Sequence, residues 1–465
     1  MLDLTVGSVA QALGARVQEG AEQPVRRVVM DSRAVVPGDL FVALVGARTD
    51  GHVHLRQALA QGAVAALVQP DRGERPDGLP CLVVPDTLKA LGALARFHLG
   101  RLQAQVVGIT GSVGKTTAKD FLFQLLGGAA AKAFAAPASY NSEVGLPLAI
   151  LGAPLDTKVL VLEYGINAPG EMDVLLSIAR PHHAWITAIG ASHLEGLGTI
   201  ATVASEKGKL AAAVGEFGHA WMPTEIASVM QESSAQWQAD VRLRDPLHDP
   251  SITMHSATPG AWEFTHARWG RLQLHLHAAH EIVGALMAAD IAATLGVADA
   301  EIAKRLPHLT PPGGRLTVTE RNGLVILDDA YNANPLSMKA ALQVLAQWPT
   351  AGRRIAVLGS MKELGPSAEE LHRQVGVWLL ESGCTELIGV GSGGAWIASG
   401  AADAVSCRVV DDARAAAEIL QQRLQDGSLE AGDVLLLKAS RAEALERILR
   451  HLPQELDPEH AEVQA

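Results

Sequence analysis

A glycine-punctuated stretch near residue 110 constrains the fold more than any other part of the chain. Residues 106–117 read VVGITGSVGKTT, so an apolar run enters a turn that leads straight into Gly-Lys-Thr-Thr. Glycines let backbone N–H groups close around phosphate oxygens, and a helix that starts there points its positive end at them. This order of features predicts a buried strand, a phosphate-binding loop and the first turn of a helix.

The match to the strict loop pattern G-x-x-x-x-G-K-[ST] is imperfect, because Ile109 stands where the first glycine belongs. Gly111 instead gives a tighter G-x-x-G-K-T, and an ordinary glycine-rich turn before a helix is the alternative interpretation. We favour phosphate binding, in which Lys115 reaches the β- and γ-phosphates of a nucleotide and Thr116 ligates Mg²⁺. The loop residues expected to hold the nucleotide are Gly111, Ser112, Val113, Gly114, Lys115, Thr116 and Thr117.

Length and composition place the chain among multidomain globular proteins. Its 465 residues suggest two to four domains, and 48% hydrophobic with 19% charged residues is not a disordered composition. The formal net charge of −12 argues against a general nucleic-acid-binding protein, which needs a basic face. No stretch has the roughly 20 apolar residues of a membrane helix, and the first residues do not read as a signal peptide. We therefore expect a cytoplasmic protein, and a monomer.

Two further apolar strands lead into residues that suit a metal site. Residues 158–165 read KVLVLEYG, which puts Glu163 at the end of a buried strand, and a strand predicted over 184–189 leads to His193. The carboxyl ends of parallel strands meet at one edge of a sheet, where ligands bind. We expect Glu163 to order Mg²⁺ and His193 to lie in the site. The alternatives are a solvated strand-end carboxylate and a structural histidine.

The rest of the chain alternates between strands and helices, which is typical of parallel sheets. In the first hundred residues, strands are predicted over 40–45 and 65–68 and a helix over 55–66. In the last part, predicted strands at 324–327, 354–358, 387–390 and 434–437 alternate with helices at 337–346, 368–380, 412–424 and 442–451. The residues after Pro453 read as a disordered polar tail.

The predicted fold class is α/β with three domains. A central domain (99–309) is built on a parallel sheet that carries the phosphate loop. A small α/β N-terminal domain (1–98) and a Rossmann-like C-terminal domain (310–465) flank it.

Several stretches together are similar to the Mur ligase family over nearly the whole chain. They are GITGSVGKTT (108–117), NSEVGLPLAI (141–150), DDAYNANPLSMKAAL (328–342) and VLGSMKELG (357–365), with DSR, PGDLFVAL and DGH in the first domain. They most resemble the branch of the family that adds D-alanyl-D-alanine, since the D-N-P-R motif of the neighbouring third-residue ligase is not present.

The resemblance implies an amide ligase of peptidoglycan precursor synthesis that uses ATP and Mg²⁺. ATP would phosphorylate a carboxylate of UDP-N-acetylmuramoyl-tripeptide, and the amine of D-alanyl-D-alanine would attack the acyl phosphate, giving an amide, ADP and phosphate. Both steps crowd negative oxygens together, so the site must supply metal ions and cationic groups.

The resemblance also assigns roles to particular residues, with Lys115, Lys207 and His193 as the catalytic set. Thr116, Glu163, His193 and Lys207 would order the metal ions, Lys207 as a carbamoylated lysine, with an exposed helix lysine as the alternative. The third domain would complete the nucleotide site through Arg315, Asp329, Asn332 and Asn334. The substrates would contact Ser32, Arg33, Asn141, Ser142, Lys438, Ser440 and Arg441. Ser32 and Arg33 could equally cap or pair locally.

Three departures from the family pattern keep other functions open. The adenine-side motif H-N-x-x-N is here His280, Glu281 and Gly284, without its asparagines, and Ala439 replaces the glycine of K-G-S-R. Residues 222–225, which read MPTE, replace the usual N-x-D-D after the lysine helix. The alternatives are a Mur-type ligase with another acceptor, such as the third-residue ligase or one outside cell-wall synthesis, and a non-catalytic nucleotide-binding relative.

Overall fold

The described residues form three sheets of mainly parallel strands and two smaller antiparallel sheets, β1-β2 and β13-β14-β15. The computed structural model describes residues 2–17, 19–46, 49–232 and 239–452, and it confirms the predicted α/β class. Among the described residues, no helix is both long enough and apolar enough to cross a membrane.

The first sheet has the strand order β3-β4-β5-β6, and every neighbouring pair is parallel. The predicted helix over 55–66 is wrong in its second half, because Gly62 takes a φ of +97° and turns the chain into β5. The elements of this part are β1 (Leu4–Thr5), α1 (Val6–Leu13), β2 (Pro24–Val25), β3 (Arg27–Val29), β4 (Asp39–Val42), α2 (Leu55–Ala60), β5 (Ala65–Val68), β6 (Cys81–Val83) and α3 (Thr87–Arg101).

The central sheet has the order β12-β11-β10-β7-β9-β8, again with parallel neighbours. Its elements are β7 (Gln105–Thr110), α4 (Lys115–Leu125), β8 (Ala133–Ala135), α5 (Gly145–Gly152), β9 (Val159–Glu163), α6 (Glu171–Ile178), β10 (His183–Ile186), α7 (Leu194–Leu197), α8 (Ile200–Ala212), β11 (His219–Pro223), α9 (Ala227–Glu232) and β12 (Asp240–Arg244). Since β7 pairs with β9 on one side and β10 on the other, the loop after β7 opens at the point where the strand order reverses. Ligands of such sheets bind in that crevice.

An antiparallel sheet and two helices cover one face of the central sheet. They are β13 (Ile252–Thr258), β14 (Ala261–His266), β15 (Gly270–Leu274), α10 (Ala279–Thr294) and α11 (Asp299–Arg305). The core on this side joins Phe121 and Trp185 to Phe264 and Ile282. On the other face, α3 packs its buried Leu91 against the central domain. The first two sheets therefore share one continuous core.

The last sheet has the order β16-β17-β21-β18-β19-β20, in which β16 runs antiparallel to β17 and the other neighbours are parallel. Its elements are β16 (Thr317–Arg321), β17 (Leu324–Asp328), α12 (Pro335–Gln347), β18 (Arg354–Leu358), α13 (Ala368–Glu381), β19 (Glu386–Val390), α14 (Gly391–Ala401), β20 (Ser406–Val410), α15 (Ala413–Gln425) and β21 (Val434–Lys438). The predicted helix over 442–451 is wrong. Ala444 has a φ of +51° and divides this stretch into two 3₁₀ turns. The predicted tail after Pro453 lies outside the described residues.

Candidate active site

The phosphate loop is shaped by two glycines with positive φ. Gly111 has a φ of +151°, and a Cβ there would lie 2.0 Å from Oγ1 of Thr187, so no larger residue fits. Gly114 has a φ of +85° and sits directly before the first residue of α4. The amide of Ser112 donates to the carbonyl of Ala188 at 2.8 Å, which ties the loop to the chain beyond β10. The loop therefore presents the N-terminus of α4 at the switch point of the sheet.

Lys115 folds back over this loop. Its Nζ donates to the carbonyl of Gly111 at 2.8 Å. Burial lowers the pKa of Lys115, the carboxylate of Glu163 opposes that shift, and the nearby charge of Arg315 adds to it. A lysine held in this way can place its positive charge beside a bound anion without first having to be ordered.

Glu163 lies at the carboxyl end of β9 and is fully buried. Its Oε2 accepts from Oγ1 of Thr116 at 3.2 Å and from the side-chain Nδ2 of Asn141 at 3.4 Å. Its Oε1 makes no hydrogen bond among the described residues and lies 3.5 Å from Nζ of Lys119. The structure thus brings together the hydroxyl and the carboxylate that the sequence predicts as metal ligands.

Lys119 is a residue of this cluster that sequence reasoning missed. It is buried, and its Nζ donates to the carbonyls of Ala136 and Ala138 at 2.6 and 2.7 Å. It ties the segment after β8 to α4 and balances the charge of Glu163. The sequence did contain a clue to Lys119. It lies three residues after Thr116 on α4, and residues three apart on a helix share a face, so Lys119 faces the site as Thr116 does.

Lys207 is fully buried in the middle of α8, so the alternative of an exposed helix lysine is wrong. Its Nζ has no hydrogen-bond partner among the described residues. Burial, followed by the charge of Lys115, holds the pKa of Lys207 well below its usual value, while Glu171 opposes this. Lys209, two residues on, instead pairs at the surface with Asp173 at 2.6 Å.

His193 lines the cavity at the start of α7 and has a φ of +52°. Its Nδ1 lies 2.5 Å from Oε2 of Glu363, which comes from the third domain. The imidazole beside it holds the pKa of the Glu363 carboxyl below its usual value. Sequence reasoning predicted His193 in the site and missed Glu363.

The third domain forms the opposite wall of the site. Asn334 caps α12 through its side-chain oxygen, and its amide nitrogen donates to the carbonyl of Ser112 at 2.9 Å. The guanidinium of Arg315 lies 4.4 Å from the ring centre of Tyr331. The hydroxyl of Tyr331 lies 3.1 Å from that of Ser139. The third domain therefore contacts the phosphate loop directly and holds an arginine beside it.

Lys438, Ser440 and Arg441, predicted together near the amine substrate, separate in the structure. The Nζ of Lys438 bonds Oδ2 of Asp329 at 2.5 Å and the carbonyl of Asn332 at 3.1 Å, so it fixes the loop after β17. Lys438, Asp329 and Asn332 line the cavity. Ser440 is buried and accepts from the backbone of the 359–365 loop, and Arg441 is exposed and pairs with a carboxylate on its own segment.

The predicted substrate residues of the first two domains also separate. Asn141 and Ser142 line the cavity. Ser32 is buried and donates to the side-chain oxygen of Gln57 at 2.8 Å, and Arg33 is exposed and pairs with Asp31 at 2.7 Å. Ser32 and Arg33 lie in the first domain and do not line this cavity.

The cavity has a volume of about 300 Å³ and lies between the central and third domains. We call its part around Lys115, Glu163 and Lys207 the phosphate end. Predicted residues on its walls are Ser112, Val113, Gly114, Lys115, Thr116, Thr117, Asn141, Ser142, His193, Arg315, Asp329, Asn332, Asn334 and Lys438. Gly111 shapes the loop from behind, and Glu163 and Lys207 are buried beneath it.

A second cavity of about 330 Å³ opens beside the loop and is walled mainly by apolar groups, including Trp185 and Val283. We call the start of α10, with His280, Glu281 and Gly284, the α10 end: Gly284 lines this second cavity, Glu281 lines the first, and His280 lines both. Glu281 is buried, and its Oε2 accepts from the amides of His277 and Ala278 at 2.8 and 3.0 Å. Burial raises the pKa of Glu281 to about 7. Glu281 therefore caps its own helix.

The donors at the phosphate end fit Mg²⁺ in a particular way. No group of three or more His, Cys, Asp or Glu side chains that could hold a metal occurs within the described parts of the chain. Thr116, Glu163 and His193 offer too few oxygens for an all-protein site. Mg²⁺ commonly takes one or two protein carboxylates together with substrate phosphates, which is what a phosphate loop beside Glu163 provides.

Comparisons with known proteins agree over the whole length. Three family models match consecutive parts: "Mur ligase family, catalytic domain" over residues 24–98, "Mur ligase middle domain" over 109–281 and "Mur ligase, glutamate ligase domain" over 314–441. The UDP-N-acetylmuramoyl-tripeptide–D-alanyl-D-alanine ligase of Bacillus subtilis is 33% identical over 462 residues, which cover 97% of this chain and 99% of that protein.

Solved structures give the same result. MurF from Acinetobacter baumannii superposes with a TM-score of 0.84 at 27% identity, covering 96% of this chain and 98% of that one. MurF ligase from Thermotoga maritima, solved in complex with ADP, superposes with a TM-score of 0.77 at 29% identity, covering 92% and 97%. The chain belongs to the Mur ligase family.

Proposed function

We propose that this chain is an ATP-dependent ligase that joins D-alanyl-D-alanine to UDP-N-acetylmuramoyl-tripeptide, releasing ADP and phosphate. The observation that carries the proposal is the meeting of three features in one cavity. These are the phosphate loop on α4, the buried pair of Thr116 and Glu163, and the third-domain residues Arg315 and Asn334. Relatives that match over their whole length carry this activity in their names.

Each of the three domains would bind a different substrate or part of one. We assign residues 1–98 to the UDP end of the precursor, 99–309 to ATP, and 310–465 to the incoming amine and part of the nucleotide. Ser32 and Arg33 would serve the uridine end. Asn141 and Ser142 lie on the cavity wall, where the sugar and peptide would pass.

At the amine end, we assign Lys438, Ser440 and Arg441 to D-alanyl-D-alanine. Lys438 would act through the loop that it holds, since its ammonium is already bonded to Asp329. Ser440 would act through the 359–365 loop, whose backbone it accepts from. Arg441 is exposed enough to reach a substrate carboxylate once the cleft is filled.

ATP would lie with its phosphates on the amides of residues 111–117. Lys115 would meet the β- and γ-phosphates, and Arg315 would approach from the opposite wall. Positive charge from two sides stabilises the extra negative charge that builds up as a phosphoryl group is transferred. Asp329, Asn332 and Asn334 would complete the nucleotide site from the third domain, Asn334 through its bond to the loop.

Mg²⁺ would be held by Thr116 and Glu163, and a second ion by His193 with Lys207. When bound, the ions would neutralise phosphate oxygens and orient the carboxylate that is to be activated. We propose that Lys207 is carbamoylated: its neutral amine adds to carbon dioxide, an N–C bond forms and one proton leaves. The support is a buried Nζ with no partner among the described residues, which a carbamate would turn into a metal-binding acid.

The reaction would then proceed in two steps. A peptide carboxylate takes the γ-phosphoryl group, and the amine of D-alanyl-D-alanine attacks the acyl phosphate, expelling phosphate. The residues of this chain would hold the carboxylate, the phosphates and the amine in one cleft, and such positioning is a large part of catalysis for these transfers. Because the substrates are ATP and a nucleotide-linked precursor, we also propose a cytoplasmic location. Recovery with the membrane fraction of lysed cells would contradict it.

The deciding experiment supplies UDP-N-acetylmuramoyl-tripeptide, ATP and Mg²⁺ to the full chain and measures phosphate release. We expect release with D-alanyl-D-alanine and not with single amino acids. Release with a single amino acid alone would point instead to a ligase with another acceptor. ATP binding without turnover, whatever the acceptor, would indicate a non-catalytic relative.

A further inference from the structure

A loop of the third domain reaches across the cleft to His193. It follows β18 and spans residues 359–365, which read GSMKELG. The carbonyl of Glu363 accepts from the amide of Glu195 at 3.0 Å, and the carboxylate Oε2 lies 2.5 Å from Nδ1 of His193. A backbone hydrogen bond and a close side-chain contact therefore join the two domains at Glu363.

The two residues that meet there both have left-handed backbones. His193 has a φ of +52° and Glu363 a φ of +63°. Such a conformation costs a side-chain-bearing residue about 1 kcal/mol or more, and it persists only where surrounding contacts impose it. Two opposed residues in this state indicate that their mutual placement is specified by the fold.

The loop is anchored on the side of its own domain. The amide of Met361 donates to Nε2 of His372 at 2.8 Å, and the amide of Lys362 donates to Oγ of Ser440 at 2.9 Å. The ammonium of Lys362 pairs with Glu443 at 3.2 Å, so it does not compete for Glu363. The carboxylate of Glu363 is thereby presented to the central domain by a fixed backbone.

We propose that Glu363 is a positioning residue for His193, supplied by the third domain. The carboxylate lies 2.5 Å from Nδ1 of His193, which makes no hydrogen bond among the described residues, and this contact would hold the imidazole in place and leave Nε2 for the cavity. Partners of this kind fix the tautomer and orientation of a metal-binding histidine. The inference rests on the proposed role of His193 at a metal ion. It adds that this ligand is correctly oriented only when the third domain is docked.

The test measures Mn²⁺ binding in the presence of ADP, by the loss of the electron paramagnetic resonance signal of free Mn²⁺. We expect Glu363→Ala to weaken Mn²⁺ binding about tenfold, since losing a residue that orients a metal-binding histidine typically costs about 10–100-fold in metal affinity. Glu363→Gln, which keeps an oxygen beside the imidazole and removes only the charge, should recover part of the loss. The matched control is Glu369→Ala, which removes a half-exposed carboxylate that pairs with Arg373 on α13.

A double-mutant cycle separates positioning from a general effect of charge. In the His193→Ala background, Glu363→Ala should cause no further loss of Mn²⁺ affinity, because its only proposed route is the imidazole. An equal loss in both backgrounds would overturn the proposal, and so would unchanged Mn²⁺ binding in Glu363→Ala. The measurement needs no turnover, so its failure is distinguishable from a failure of the ligase assay.

Discussion

At the phosphate end of the cleft, two buried groups each keep one atom without a hydrogen-bond partner, whereas at the α10 end one oxygen of the buried Glu281 carboxylate accepts from two backbone amides. Lys207 has no hydrogen-bond partner among the described residues, and Oε1 of Glu163 has none either. Glu281, by contrast, accepts from two amides of its own helix start. A buried polar group left unpaired costs about 1–3 kcal/mol. Such groups are explained by a bound partner, while a satisfied one is explained by the fold.

The comparison predicts where substitutions change chemistry and where they change stability. Groups at the phosphate end should affect turnover strongly, because they line or underlie the phosphate loop and two of them keep an atom free for a bound ligand. The group at the α10 end should affect stability and its pH dependence, with little effect on turnover.

The largest effect is expected for Lys115→Ala. Removing a positive charge at the β- and γ-phosphates should lower the rate of phosphate release by about 10³-fold or more. The matched control is Lys209→Ala, which removes an ammonium paired with Asp173 and Glu206 at the surface of α8. Full activity in Lys115→Ala would refute phosphate binding by this loop. It would also show that substitutions at the phosphate end affect turnover no more than those at the α10 end.

Lys207→Ala is expected to come next. Turnover should fall about 10²–10³-fold, comparable to the loss of one preorganised group in an electrostatic site. The space left in the core should admit a small carboxylate, so added acetate or formate should restore part of the rate. Unchanged activity would remove Lys207 from the site. A loss that no carboxylate rescues would contradict its proposed carbamoylation.

Much of this site could be predicted from the sequence, since its central parts are local. The phosphate loop is one contiguous stretch, and the strand predicted over 354–358 is the observed β18. The burial of Lys207 also had a signal, because the buried Val203, Ala204 and Leu210 lie at helical spacing on its side of α8.

What the sequence could not show depends on residues far apart in the chain. Glu363 meets His193 across 170 positions, so no periodicity or spacing connects that pair, and the spacing that puts Lys119 on the face of Thr116 does not show that it reaches Glu163, 44 positions away. The predicted helix over 442–451 failed because Ala444 takes a left-handed conformation, although alanine favours helices. Tertiary contacts set the backbone conformation at such positions, and a pattern of residue types along the sequence does not contain them.

The smallest effect on turnover is expected at Glu281, where the consequence is a pH-dependent stability. Burial raises the pKa of Glu281 in the folded state to about 7 from its ordinary 4.5, so the folded state binds this proton more tightly than the unfolded state. Below pH 4.5 both states are protonated and nothing is lost. As the pH rises to 7 the unfolded state ionises first, and stability falls by up to about 3 kcal/mol.

Glu281→Gln removes that titration, so the stability of the variant relative to the wild type should rise between pH 5 and pH 8. Thermal unfolding at both pH values measures it, with Glu301→Gln as the control, since Glu301 is a half-exposed partner of Arg305. Turnover should change less than about threefold, because the Glu281 carboxylate is already hydrogen-bonded to the backbone amides of His277 and Ala278 and other residues would bind the nucleotide. A constant stability difference would contradict the raised pKa. A large rise in KM for ATP would show instead that Glu281 contacts the nucleotide, and the α10 end would then belong with the phosphate end.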